Sequence, residues 1–410
     1  MSYVATARTF DAIVIGLGGI GSAAAYRLAA APGSPRVLGL EQFELGHDRG
    51  ASQDVSRITR LSYHRPEYVR LAITAQASWR EIERDAGAAG FLDGPILTMT
   101  GGLDLAPDGA AESIDDYAAS MTAVGVPFEW LDDVAVARRW PQWRLDAGTR
   151  AIFQADAGIA DPDRGNPAHQ RLARAAGAII EEHARVVAIE DHGDELVVRV
   201  EDGRELVTGS VVLATDAWTN DLLTPLGQPM PLSVTREQVT WFEAAAGNEA
   251  AFSPERFPIW IWLDQPSFYG FPTYRGPGPK VGEDVGGRPT TARTRTFDPD
   301  LDCLDRVSAF MAARLPGVGA PARTKTCLYT VTPDRDFVLD RLPEHTGVIV
   351  ALGAAHGYKF AALFGTYLAD LALDRDRRPP PPELALFAAG REVLLTGTPA
   401  GSTANLATAT

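Results

Sequence analysis

The sequence predicts an α/β protein of two domains, and three observations carry that expectation. Short apolar runs of the kind that parallel sheets bury on both faces occur near the start (residues 11–15), the middle (210–215) and the end (347–353) of the chain. The first and last of these run into glycine-rich turns followed by helical patterns. Residues 230–295, in contrast, are rich in aromatics, Pro and Gly and read as β structure with long loops.

Taken in order, residues 11–15 form a buried strand, 16–21 a turn, and 22–30 a helix of small residues. Pro32-Gly33-Ser34-Pro35 breaks that helix, and residues 37–40 make a second strand ending at Glu41. A second helix is expected over 67–85, where Val69, Ala72, Ala75, Trp79 and Ile82 recur near helical spacing. Residues 186–206 read as antiparallel strands turning at Glu201-Asp202-Gly203, with a further strand at 210–215. Helices are expected over 303–313 and 359–374. One domain assembled from three segments (1–85, 155–217 and 325–388) accounts for the spread of parallel-type strands. Residues 86–154 and 218–324 are then a second, antiparallel-sheet domain covering a substrate. Residues 389–410, small and polar at their end, are expected to be a disordered tail.

Composition narrows the partners. The chain is 45% hydrophobic and 22% charged, as ordinary globular proteins are. Its net charge of −15 argues against a nucleic-acid partner, which needs a concentrated basic footprint. Two cysteines, Cys303 and Cys327, make no disulfide framework, so a reducing compartment, the cytoplasm, is expected. The first apolar run is too short for a signal peptide, and no apolar stretch of about 20 residues suggests a membrane span. The histidines show no metal-ligand spacing.

The most specific local motif is Gly16-Leu17-Gly18-Gly19-Ile20-Gly21, a GxGxxG turn between a strand and a helix. Gly16 permits the tight turn, Gly18 lets backbone approach a pyrophosphate, and Gly21 lets helix and strand pack closely. The N–H groups of the helix start, Gly19 and Ile20 among them, would then face phosphates. Glu41 stands twenty residues after Gly21, where an acid holds a ribose hydroxyl. The chain therefore opens with a Rossmann-type dinucleotide-binding unit. The motif does not separate NAD from FAD.

Four further segments decide that. They are Ser56-Arg57-Ile58-Thr59-Arg60; Tyr269-Gly270-Phe271-Pro272 with Lys280-Val281-Gly282; Cys327-Leu328-Tyr329-Thr330 with Thr332-Pro333-Asp334; and Gly353-Ala354-Ala355-His356-Gly357-Tyr358-Lys359-Phe360. In order and spacing they resemble the monomeric sarcosine oxidase and N-methyltryptophan oxidase family of flavoenzymes, over roughly residues 9–385. The resemblance implies FAD as cofactor, joined at its 8α-methyl by a thioether to Cys327. A thiolate is the nucleophile such a bond needs, although a free cysteine is otherwise a small buried hydrophobe. Cys303 reads as structural. The resemblance also implies Arg57 against the flavin ring, with Gln42, Ser52, Val186, Gly353 and Gly357 as further cofactor contacts. Arg60 and Lys359 would bind a substrate carboxylate, and Lys359 would also border the cofactor. Lys280 would lie over the opposite flavin face and promote reaction with oxygen, a role suited to a fixed cation. Tyr269 and Tyr329 would wall the pocket and orient the amine.

The implied activity is oxidation of a small secondary amine or N-methyl amino acid. A hydride equivalent passes to flavin N5, the imine hydrolyses, and dioxygen is reduced to hydrogen peroxide. A monomer is the family-like expectation. The chain also departs from the family. Ser52-Gln53-Asp54-Val55-Ser56 replaces a run containing two histidines, Arg65 stands in place of an acid, and Asp284 stands in place of a histidine. Asp284 would bring an acceptor to the substrate, and Trp260-Ile261-Trp262 suggests aromatic lining or core. Two other readings stay open: an FAD-dependent amine dehydrogenase using another acceptor, and a flavin-binding protein without turnover.

Overall fold

The computed structural model describes residues 8–374 and 382–397. Its first sheet grows from the strand Arg8–Ile15, whose Ala12, Ile13 and Val14 are fully buried. This strand pairs in parallel with Val37–Leu40 on one edge and Glu205–Leu213 on the other, in the registers Ala12↔Val37 and Ile13↔Val211. The far half of Glu205–Leu213 takes Val348–Leu352 in parallel, and its near half takes Leu196–Val200 antiparallel. Strands from the beginning, middle and end of the chain thus share one sheet. Residues 205–207 and 210–215, expected as separate strands, form one strand to Leu213. Its buried hydroxyls are satisfied in place, Thr208 Oγ1 donating to the Ser210 carbonyl at 3.0 Å and Ser210 Oγ to the Ala372 carbonyl at 2.8 Å.

The expected small-residue helix runs over Gly19–Ala29, with Ala23, Ala24 and Ala25 fully buried. Small size here has a steric reason. A Cβ on Gly365, in the facing helix Ala361–Leu373, would lie 2.6 Å from the Ala23 carbonyl carbon. The second helix spans Pro66–Ala88 and buries Val69, Ala72, Ala75, Trp79 and Ile82, the stripe its spacing predicted. The expected helix at 359–374 begins as a 3-10 turn, Gly357–Phe360, before the α-helix proper. Cys303 sits in the helix Leu301–Arg314, whose first N–H groups are capped by Asp300.

A second sheet is dominated by the long antiparallel pair Ser233–Ala244 and Val318–Val331, in which Glu237 faces Cys327. Its other edge continues through Lys280–Glu283, Phe268–Phe271, Ile259–Trp262, Gly102–Ala106 and Arg150–Gln154. Residues 325–331, which the sequence reading gave to the nucleotide-binding segments, therefore belong to this sheet. Arg57–Thr59 forms a small third sheet with Gly158–Ala160 and Leu97–Met99. Strand alternation settles the aromatic stretch: Trp260 and Trp262 point into the core of the second domain, and Ile261 faces the cavity.

The expected tail also needs correction. Residues 389–397 are folded, with a short helix Glu392–Thr396, and Ala389, Val393 and Leu394 are buried. Arg391 anchors this segment on both oxygens of Asp334 at 2.7 and 3.0 Å. Residues 398–410 lie outside the described residues. Among the described residues, no helix is long and apolar enough to cross a membrane.

Candidate active site

The turn after the first strand opens a groove of about 230 Å³. Gly16, Leu17 and Gly18 form its floor, and Glu41, Gln42 and Val186 line its sides. Gly16 adopts φ +86°, and a Cβ there would stand 2.5 Å from the Ala214 carbonyl, so only glycine fits. Gly21 lies behind the turn, packing the helix start onto Gly16 and Ala214. The Glu41 carboxylate, 5% exposed, accepts the Leu17 N–H at 2.9 Å and the Phe43 N–H at 3.2 Å. A carboxylate has capacity for further donors beyond these two.

The groove shares Ala51, Ser52, Ala214 and Asp216 with a larger cavity of about 690 Å³. Gly19, Ile20, Gly353 and Gly357 form one side of that cavity. The second sheet forms the other, presenting Tyr269, Lys280, Cys327 and Tyr329, alternate residues of Val318–Val331 facing the same way. Arg57, Arg60, Asp284 and Lys359 complete the wall. Every site residue named from the sequence except Gly21 thus lines the groove or the cavity.

The residues present suit an extended dinucleotide with a planar head. The helix start at Gly19 has no side-chain cap from Gly18, leaving first-turn N–H groups for an anion, although Ser52 Oγ accepts the Gly19 N–H at 2.9 Å. Buried oxygens of Asn166 and Gln53, on groove and cavity, have no partner of their own. Cys327 is half-buried and lines the cavity; burial pushes its thiol up to about 11, against the pull of Arg57. Cys303 is packed in the core, 5% exposed.

The cations differ in how they are held. Arg57 donates to the carbonyls of Ala51, Gln53 and Ser56 at 2.7–2.8 Å, clamping the loop that precedes it. Arg60, expected to bind a substrate carboxylate, is paired with Asp104 at 3.0 Å. Burial opposes the charge on Arg60, but Asp104 together with Tyr117, Tyr63 and Glu112 outweighs it and raises its pKa. Lys280 lies on a strand with its side chain 2% exposed, bonded to Asp54 at 2.7 Å. Burial lowers it to about 8, with Asp54 opposing. The Lys359 carbonyl accepts the Trp79 indole N–H at 2.9 Å, while its ammonium, 5.9 Å from the centre of the Tyr63 ring, has no hydrogen bond or ion pair among the described residues. Burial, helped by the nearby charge of Arg60, lowers it to about 7. Asp284 is paired with Arg335 at 2.9 Å, and Arg65 with Asp336 at 3.0 Å. The hydroxyls of Tyr269 and Tyr329 are 3.3 Å apart.

Sequence reasoning missed Asp104, Arg335, Asn166 and Gln170. Asn166 donates to the Ser52 carbonyl at 2.8 Å and Gln170 to the Leu17 carbonyl at 3.0 Å, from one face of the helix Pro162–Ala175. Two amides four residues apart on the buried face of a helix were a readable signal. No local pattern marks Asp104 or Arg335.

A βαβ unit with a glycine turn, leading to a cavity walled by a second sheet, defines an α/β dinucleotide-binding protein. Comparison makes the assignment specific: the FAD dependent oxidoreductase family matches residues 11–371, and the chain belongs to that family. It is an FAD-dependent oxidoreductase with the fold of that family. The chain is 36% identical to a monomeric sarcosine oxidase of Streptomyces avermitilis over 89% of this chain and 94% of that protein. It is 29% identical to an N-methyl-L-tryptophan oxidase of Yersinia pestis, over 93% and 99% respectively. Among solved structures it superposes on NikD, an unusual amino acid oxidase essential for nikkomycin biosynthesis, in its open form. That match has a TM-score of 0.80 and 28% identity, covering 93% of this chain and 97% of the other.

Proposed function

We propose that this chain oxidises the C–N bond of a carboxylate-bearing secondary amine or N-methyl amino acid, with FAD held covalently at Cys327. The observation that carries the reading is the Lys359 ammonium, without a hydrogen bond or carboxylate partner among the described residues, in the same cavity as Cys327 and the two tyrosines. A cation left unpaired in a largely desolvated cavity is a receptor for an anion. The names of the relatives point the same way, since each describes an oxidase of an amino acid or N-methyl amino acid.

Bound FAD would supply the two-electron acceptor for the hydride equivalent leaving the C–N carbon, and dioxygen would reclaim the pair as hydrogen peroxide. The chain's own residues do the rest. Lys359 holds the substrate carboxylate, with Arg60 contributing field from its fixed position on Asp104. The hydroxyls of Tyr269 and Tyr329 orient the amine, which must be neutral at nitrogen to give up the hydride equivalent. Asp284 and Arg335 border the cavity and admit polar side chains on the substrate.

The test is to mix the purified holoprotein anaerobically with sarcosine, N-methyl-L-tryptophan and L-proline, watch for flavin bleaching, and then admit air and assay peroxide. Bleaching followed by stoichiometric peroxide supports the oxidase. Bleaching without peroxide would indicate another acceptor, and flavin that no amine bleaches would sink the proposal.

A further inference from the structure

The Lys280–Asp54 pair is built with more care than a structural ion pair needs. The two side chains are 2% and 7% exposed, and they meet at 2.7 Å on the cavity wall. Lys280 Nζ donates a second bond to the Ser56 carbonyl at 3.1 Å, and the rings of Phe271 and Trp241 stand 4.3 and 5.2 Å from it. Asp54 reaches it from a backbone at φ +85°, a conformation that side chains other than Gly, Asn and Asp rarely accept. The Val55 N–H donates to the other Asp54 oxygen at 2.7 Å. Arg57 locks the same loop through the three carbonyls it clamps.

Buried ion pairs contribute little net stability, because desolvating both charges costs about what their attraction returns. The groups facing Lys280 are Asp54 and Arg57 from this loop and Cys327 from the same sheet, across the strand Ser233–Ala244. Burial and Arg57 both work against the ammonium; Asp54 is the main group working for it.

We propose that Asp54 is a positioning residue that keeps the Lys280 ammonium charged and fixed on the wall shared with Cys327, giving the cofactor site a constant cation. This rests on the reading that the cavity takes the flavin; the ion pair itself is independent of it.

The test uses holoprotein carrying Asp54→Asn, Asp54→Gly or Asp54→Glu. Asn and Gly both accept positive φ, so these two remove the charge without forcing the backbone. The visible spectrum of the bound flavin is titrated without substrate over about pH 6–10, with Lys280→Met as the control lacking the ammonium. Reoxidation of photochemically reduced protein by dioxygen is followed over the same range. In the wild type a spectral transition and an alkaline loss of reoxidation are expected near pH 8, and neither in Lys280→Met. Asp54→Asn and Asp54→Gly should both move the transition down by about one pH unit or more. Asp54→Glu should restore much of the wild-type position. Flavin-loaded Asp54→Asn with an unmoved transition would overturn the proposal. So would loss of flavin from a variant with a wild-type unfolding midpoint, because the acid would then be binding the cofactor directly. A wild-type protein that takes up no flavin would overturn the cofactor reading and this proposal together.

Discussion

Arg60 and Asp104 meet at 3.0 Å across two different sheets, with side chains 13% and 4% exposed. Arg60 directly follows the small-sheet strand Arg57–Thr59, and Asp104 sits on Gly102–Ala106 of the large sheet. The guanidinium also stacks near the rings of Tyr63 and Tyr117, at 5.0 and 5.6 Å. The pair therefore joins the two halves of the cavity and holds one of its cations in a fixed place.

Removing Asp104 should expose that role. Asp104→Ala leaves a buried guanidinium without its counterion, and a loss of about 3–5 kcal/mol is expected in urea unfolding. Replacing both partners, Arg60→Met with Asp104→Leu, should recover most of that stability. It should still weaken binding of a carboxylate inhibitor, measured from the flavin spectral shift.

Lys359 should make carboxylate binding depend on pH. Its ammonium is lowered to about 7 by burial, so the cation is present below that pH and lost above it. Affinity for a simple carboxylate should fall above about pH 7, by up to about tenfold per unit. Lys359→Met should bind weakly at every pH with no such slope. Equal slopes in both proteins would move the carboxylate site elsewhere.

The Cys327 linkage has a direct assay. Acid precipitation of the wild type should leave yellow flavin in the pellet, and of Cys327→Ser should release it to the supernatant. Cys303→Ser should behave as wild type, because Cys303 is packed among apolar residues of the second domain. Release of flavin from the wild type would remove the anchor from Cys327.

His169 should link stability to acid. It is fully buried between Tyr26 and Trp79, with both ring nitrogens unpartnered, and burial lowers it to about 3. The unfolded chain takes up a proton below about pH 6.5 that the folded chain refuses. Its stabilising share is thus complete above that pH and falls by about 1.4 kcal/mol per unit as pH drops toward 3. His169→Phe should flatten the unfolding free energy between about pH 6.5 and 5 by that amount.

The readable parts of the site were those whose physics is local. Gly16 needs positive φ wherever its turn occurs, and Glu41 follows its strand by a fixed count, so spacing alone found both. Cys327 and Tyr329 were found by their flanking residues, and strand alternation turns both to the cavity. The partners of the cations were not readable. Asp104 lies 44 residues from Arg60, Asp54 lies 226 residues from Lys280, and Arg335 lies 51 residues from Asp284. No periodicity connects residues on separate sheets and loops.

The sequence by itself determined that a dinucleotide unit opens the chain and that strands from three distant segments are of the buried parallel type. Backbone stereochemistry and hydrophobic period act within a few residues, and so they are written where they act. Only the tertiary structure decided which charges are paired with a carboxylate. It paired Arg60, Lys280 and Arg335 with carboxylates and gave Lys359 none among the described residues. Coulomb energy in a desolvated cavity depends on distances of a few ångströms, and those distances exist only once the sheets have packed.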